Sequence, residues 1–229
     1  MIYGIGDLHL DHSKKKPMDI FGDNWIDHDE NIFDNWKEQV NNEDLVLIPG
    51  DISWALRTVE AYEDLKKIDD LPGFKVLIKG NHDYWWQSLN KLNLFGFKSI
   101  FFLQNNSYLY KNVSIVGTRG WIPIDSDSFN ESDEKIFKRE LQRLRTSLIH
   151  AKGKGDKIIA MLHYPPFNID LTPNEFVDIM KEFEVDMCIY GHLHAEGHKF
   201  AVEGMIDGID FHCLSSDYID FKIKKLIGE

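Results

Sequence analysis

Very little in this sequence points to covalent or membrane stabilisation. Of 229 residues only two are cysteine, Cys188 and Cys213. One such pair is no disulfide framework, and a reduced, cytoplasmic setting is expected. No run approaches the ~18 consecutive apolar residues of a membrane span. Met1 leads directly into a short strand-like stretch, without the basic-then-apolar pattern of a secretory signal. Positive charge is scarce as well: 26 Lys and Arg against 38 Asp and Glu leave a formal charge of −12. Such an acidic surface repels a phosphate backbone, which argues against broad electrostatic binding to DNA or RNA. The one basic run, Lys14-Lys15-Lys16 beside Pro17, reads as a solvated loop. Repeats, low-complexity tracts and linker-like Gly or Pro clusters are missing, so residues 1–229 are expected to form a single domain. Nothing in the composition signals an oligomeric state.

What is present is an ordinary globular balance, 43% hydrophobic and 28% charged, enough for a sizeable core. Short apolar runs at 2–5, 45–48, 75–78, 158–162 and 187–190 read as buried strands. Amphipathic stretches lie between them. Residues 29–40 put Ile32, Phe33, Trp36 and Val40 on one helical face, and 58–68 put Val59, Tyr62, Leu65 and Ile68 together. Residues 173–183 read as a helix capped by Thr172 with Pro173 at its first position. The stretch 131–151, with Ile136, Phe137, Leu141, Leu144 and Leu148 at helical spacing, is expected to be the longest helix, broken by Gly153 and Gly155. This alternation predicts βαβ units and largely parallel pairing. Hairpins expected at 108–116 and 199–214, with the run 100–103 before the first, suggest a second, mixed sheet packed on the first.

The chemistry gathers at strand ends. The first strand runs through Gly6 into Asp7 and His9, the second through Gly50 into Asp51, and the third through Gly80 into Asn81, His82 and Asp83. Residues 158–162 lead into His163, and 187–190 lead through Gly191 into His192 and His194. In an open α/β sheet the carboxyl ends of the strands face one crevice, so these groups should converge. Taken singly each is weak, since a His after a strand is commonly a hydrogen-bonded surface group and a Gly-Asp commonly a turn. Their coincidence at five strand ends carries the weight. A set of Asp, Asn and imidazole donors without thiolate suits a borderline or hard transition ion, Mn, Fe or Zn. Two carboxylates, one amide and four His exceed one ion's needs and fit two ions sharing one Asp.

The ordered set Asp7-x-His9, Gly50-Asp51, Gly80-Asn81-His82-Asp83, His163 and Gly191-His192-x-His194 resembles the calcineurin-like metallophosphoesterase superfamily. That resemblance implies a four-layer α/β/β/α sandwich with two mixed sheets and a metal site at the carboxyl ends of the strands. It implies Asp7, His9 and His194 as ligands of one metal, Asn81, His163 and His192 as ligands of the other, and Asp51 as the bridge. It also implies attack by a metal-bridging hydroxide on a phosphate ester, with His82 as general acid. The implied partner is a phosphorylated small molecule or nucleotide. Many members carry Gly-Asp-x-x-Asp in the second block; here Trp54 takes the place of the second Asp. In the protein phosphatases that Asp orients the acid His. Its replacement favours phosphodiesters over phosphomonoesters or phosphoproteins, and leaves Asp83 or a backbone carbonyl to orient His82, while Trp54 could instead help shape the substrate pocket. Arg119, directly after a strand, could hold a phosphate oxygen through its guanidinium fork or form an ordinary ion pair. His12 could touch substrate. His28, His150, His198 and His212 match no motif.

Two other readings are weighed. Gly4-x-Gly6 lacks the third glycine of a dinucleotide fingerprint, because His9 stands there, and no phosphate-loop lysine motif exists. A non-catalytic binding module on the same fold would be expected to have lost ligands, and this chain keeps the full set.

Overall fold

A computed structural model describes residues 1–13 and 15–228; Lys14 of the basic run lies outside them. The elements in chain order are β1 (Ile2–Gly4), α1 (His28–Gln39), β2 (Leu45–Ile48), α2 (Thr58–Asp70), β3 (Phe74–Leu77), α3 (Leu89–Asn93), β4 (Ile100–Phe102), β5 (Tyr108–Tyr110) and β6 (Val113–Thr118). There follow α4 (Glu131–Ala151), β7 (Lys157–Leu162), α5 (Glu175–Glu182), β8 (Met187–Tyr190), β9 (Gly204–Ile206), β10 (Ile209–Cys213) and β11 (Lys224–Ile227).

They form two mixed sheets. One has the order β11-β1-β2-β3-β4, parallel except for the antiparallel edge β11. The other has the order β5-β6-β7-β8-β10-β9, with β6, β7, β8 and β10 parallel and an antiparallel strand at each edge. Strand periodicity sorts the side chains into layers. Leu45 and Leu47 of β2 face Ile159 and Met161 of β7 between the sheets, while Val46 and Ile48 turn outward among residues of α1 and α2. On the far side Ala160 and Leu162 pack with Leu144 and Leu148 of α4 and with Phe176 and Met180 of α5. Burying a Val, Leu or Ile side chain contributes roughly 1.5–3 kcal/mol, so three such cores hold a four-layer α/β/β/α sandwich.

Several local expectations are corrected. In α2, Val59 is exposed and Tyr62 lies at the rim, whereas Ala61, Asp64, Leu65 and Ile68 form the buried face. Asp64 sits inside because it accepts from the Ser53 hydroxyl at 2.6 Å and the His12 amide at 2.9 Å. A buried, satisfied carboxylate conceals the face from a hydrophobic pattern. Helix α5 is capped by Asn174, whose side chain accepts from the Phe176 amide at 3.0 Å, not by Thr172. Pro173 is instead held in a bridge to Phe167. The sequence pattern gives no sign of strand β11. Its two lysines disguise an edge strand, where charge is tolerated because one side meets solvent.

Candidate metal centre

The site straddles the two sheets at their carboxyl ends. β1, β2 and β3 deliver Asp7 and His9, Asp51, and Asn81 with His82 from one sheet, while β7 and β8 deliver His163, His192 and His194 from the other. The loops are tied to one another: Asp7 donates its amide to the Gly50 carbonyl and His9 to the Asp51 carbonyl, both at 3.0 Å. Four of these residues, Asp7, His9, Asp51 and His192, occupy left-handed backbone conformations with φ of 54°, 45°, 51° and 74°. Non-glycine residues held there are strained, and such strain collects at functional sites. The preceding glycines allow close approach. A methyl group on Gly80 would overlap the Asp51 amide and carboxylate, and one on Gly191 would overlap Asp7 Oδ2.

Asp51 lies at the middle. Its Oδ2 is 3.8 Å from His9 Nε2 and 3.5 Å from His163 Nε2. Its other oxygen accepts from the His82 amide at 2.8 Å. Around it two sets gather. Asp7, His9 and His194 bring their donor atoms within a few ångströms of one another, with His9 Nε2 at 3.2 Å from His194 Nε2 and His194 Nε2 at 3.8 Å from Asp7 Oδ1. On the other side Asn81 Oδ1 lies 2.6 Å from His163 Nε2 and 2.9 Å from His192 Nδ1.

These contacts fit metal ligands. His163 Nδ1 lies 3.0 Å from the Pro49 carbonyl and must donate to it, which leaves Nε2 as a bare lone pair facing the Asn81 oxygen. Two acceptors that close repel unless a cation reconciles them. Asp7 Oδ1 is buried with no hydrogen-bond partner and points into the same set. The protonation states agree. Burial, with the neighbouring His194, holds His9 well below the ordinary imidazole range, and burial with His192 does the same for His163. Burial pushes His192 down to about 3. Burial raises Asp7 to about 6, and burial together with the charges of Asp83 and Asp7 raises Asp51 well above the carboxylate range. Neutral imidazoles and crowded carboxylates are what a pair of cations would satisfy.

Trp54 and His82 complete the floor. The Trp54 ring stacks on His9 at 4.9 Å between centroids and tilts against His82 at 4.5 Å. Asp83 does not orient His82. Its oxygens are occupied by the amides of Ile52, Ser53 and Gly80 and by the indole of Trp85, so it clamps the second strand-end loop to the third. The His82 ring is set by aromatic packing, and its Nδ1 has no hydrogen-bond partner. His12 is exposed; its amide anchors to Asp64 and its ring stays outside the cluster. Arg119 is 15% exposed, so it is no surface ion pair. Its carbonyl accepts from the amides of His163 and Tyr164 at 3.0 Å, and its guanidinium stacks on Trp121.

Three supporting residues escaped the sequence reading. Asp217, just after β10, accepts from His194 Nδ1 at 2.7 Å and leaves Nε2 free for the cluster. Burial alone would lower His194, but this carboxylate raises it. Ser216 donates to the Gly6 carbonyl at 2.5 Å. His28 sets its two ring nitrogens 3.1 and 3.0 Å from the carbonyls of Trp25 and Leu8, pinning the turn that carries His9. The run Ser215-Ser216-Asp217 follows a strand as the ligand blocks do, which is the signal that could have revealed it.

Comparison with known proteins then adds a family. The calcineurin-like phosphoesterase family matches residues 1–196. The gene 66 protein of Mycobacterium phage D29 is 40% identical over 83 residues, 36% of this chain and 40% of the phage protein. That of phage L5 is 38% identical over 77 residues, 34% of this chain and 37% of its own. The matched segment thus spans well under two thirds of either relative. Among solved structures, a putative 5′-nucleotidase from Staphylococcus aureus superposes with a TM-score of 0.53 at 15% identity, covering 93% of this chain and 48% of that one. The protein TT1561 of Thermus thermophilus superposes with a TM-score of 0.53 at 11% identity, covering 97% and 96%. At such identities these two likenesses speak for the fold alone.

Proposed function

The chain belongs to the calcineurin-like phosphoesterase family, and from that premise we propose that it is a dinuclear metal-dependent hydrolase of phosphate esters acting by preference on diesters. The observation that carries the proposal is Asp51, one carboxylate oxygen within 4 Å of imidazoles from both ligand sets. Asp7, His9 and His194 would hold one metal, Asn81, His163 and His192 the other, and Asp51 both. Mn, Fe and Zn all suit such oxygen and imidazole donors. Metal ions bound there supply Lewis acidity, neutralising phosphoryl oxygens and activating water.

The chain's own groups do the rest. The Pro49 carbonyl and Asp217 fix the tautomers of His163 and His194, so their free nitrogens stay aimed at the cluster. His82, half-buried with its amide on Asp51 and its ring against His9 and Trp54, would give a proton to the departing alkoxide. Burial, His194 and Lys16 lower its pKa, so the negative charge of a bound phosphate ester is what would favour its protonated form. Trp54, in place of a second carboxylate, sets an aromatic face beside His82, against which the second ester group of a diester could pack. Among the described residues no helix is long and apolar enough to cross a membrane. Both cysteines are free and buried, which supports a cytoplasmic setting.

The test is Mn²⁺-dependent hydrolysis of bis(p-nitrophenyl) phosphate by the parent, Asp51→Asn and His82→Ala, with metal content measured in each. Metal uptake and turnover by the parent, with uptake impaired in Asp51→Asn, are expected. A folded parent that takes up no metal would overturn the reading.

A further inference from the structure

Beside the metal centre lies a cavity of about 180 Å³ with unusual electrostatics. β3 runs into Lys79, directly before Gly80 and Asn81; β6 runs into Arg119; and α4 lays Arg139, Glu140 and Arg143 over them. In a chain of net charge −12, four cationic side chains thus line one cavity with a single carboxylate. Glu140 is fully buried and already satisfied: one oxygen accepts from the Thr118 hydroxyl at 2.5 Å, the other from Arg143 at 2.7 Å. Arg139 and Arg119 reach that second oxygen only at 3.6 and 3.8 Å, beyond hydrogen-bond length. Arg119 Nε is buried with no hydrogen-bond partner. Lys79 forms no ion pair among the described residues, and burial, then the charge of Arg119, disfavours its ammonium.

Burying Arg119 and Lys79 without matching acceptors is costly, and with Arg139 and Arg143 at the rim more than one carboxylate's worth of positive charge is drawn together here. An oxyanion in the cavity would supply acceptors to the idle guanidinium donors, the arrangement that favours charge-assisted recognition of phosphate. The volume is below the ~300 Å³ of a typical small-molecule site, so it suits one phosphate and not a whole nucleotide. Its lining is tied to the metal centre through the backbone: the Arg119 carbonyl accepts from the His163 amide, and Lys79 directly precedes Gly80 and Asn81.

We propose that this cavity is a subsite for a second phosphate group of the substrate, so that the enzyme selects phosphoesters bearing a further phosphate near the scissile one. The substrate assignment rests on the phosphoesterase reading above; the anion site does not.

Two measurements on the Mn²⁺-loaded full chain test it. Calorimetric titration with inorganic phosphate is expected to detect a second bound phosphate that weakens about tenfold or more in Arg139→Gln and in Arg143→Gln. Arg139 is half exposed and makes no hydrogen bond to Glu140, so its variant should fold even if loss of Arg143 disturbs α4, and melting curves check both. Steady-state kinetics then compare the diester thymidylyl-thymidine with and without a 5′-phosphate. The parent is expected to favour the phosphorylated form about tenfold, chiefly through KM, and the preference should collapse toward unity in both variants. Equal turnover of the two dinucleotides by the parent, or phosphate binding identical in parent and variants, would overturn the subsite and leave the phosphoesterase reading standing. Hydrolysis of neither, with phosphate binding that still depends on Arg139, would sink the diester preference and the substrate assignment with it, while the oxyanion site stands.

Discussion

At the scale of single residues, the centre depends on groups that choose which nitrogen of a histidine is free. Asp217 accepts a hydrogen bond from Nδ1 of His194. Asp217→Asn should weaken metal affinity by about 10–100-fold, the usual effect of losing such a partner, measured by titration against a chelator. His82 gives a sharper test of mechanism. A nitrophenolate leaves without help, whereas an alkoxide needs a proton. His82→Ala should therefore slow hydrolysis of thymidylyl-thymidine by about 10²-fold or more and bis(p-nitrophenyl) phosphate much less. Equal losses on the two would argue against an acid role. Trp54→Leu removes the ring that packs on both His9 and His82. A drop in kcat on the alkyl diester of roughly tenfold, with metal content retained, is expected from a misplaced acid.

At the scale of elements, strand ends are held to one another by buried backbone contacts that tolerate no extra atom. Gly80→Ala should displace Asp51 from its place against that backbone, costing metal binding as well as stability. Asp83 receives only N–H donors. In Asp83→Asn an amide NH₂ must face one of them, and the unsatisfied pair should lower stability by roughly 1–3 kcal/mol, read from denaturant unfolding. Such a loss would also loosen the tie between the loops after β2 and β3, so metal affinity should fall in step. Retained affinity with lost stability would separate the clamp from the centre.

At the scale of the whole molecule, metal ions would bind ligands from two different sheets, so uptake should brace the sandwich. At a hundredfold excess over Kd, binding adds ~2.7 kcal/mol, about 5–10 °C in Tm for a chain of this size. The increment should depend on pH. Asp7 is raised to about 6 in the folded, metal-free chain against an ordinary value near 3.8, so its protonated form favours folding. That contribution is full below about pH 4 and lost as pH rises through 6. Metal binding needs the ionised form. The Mn²⁺-induced rise in Tm should therefore grow between pH 5 and 7, and a rise independent of pH would contradict a carboxylate ligand buried as Asp7 is.

Much of this was legible in the residues. Apolar runs leading into Asp, Asn or His, four of them through a Gly, marked five strand ends, because a strand's period and a ligand's chemistry are both local. Alternation with helices pointed to parallel pairing and the hairpins at 108–116 and 199–214 to a second, mixed sheet, though not to β7 and β8 joining that second sheet; α4 was readable along its full length from its spacing. Tertiary structure alone decided the rest. Asp64 is buried because Ser53 and His12 reach it from another loop, and Asp83 serves as a clamp because four donors from separate segments converge on it. Asp217 meets His194 across 23 residues. Arg119, Arg139 and Arg143 surround Glu140 only once α4 lies beside β6. A pattern along the chain reports what a residue is, but whether a charge is paired or a carboxylate satisfied depends on which distant groups fill the space around it.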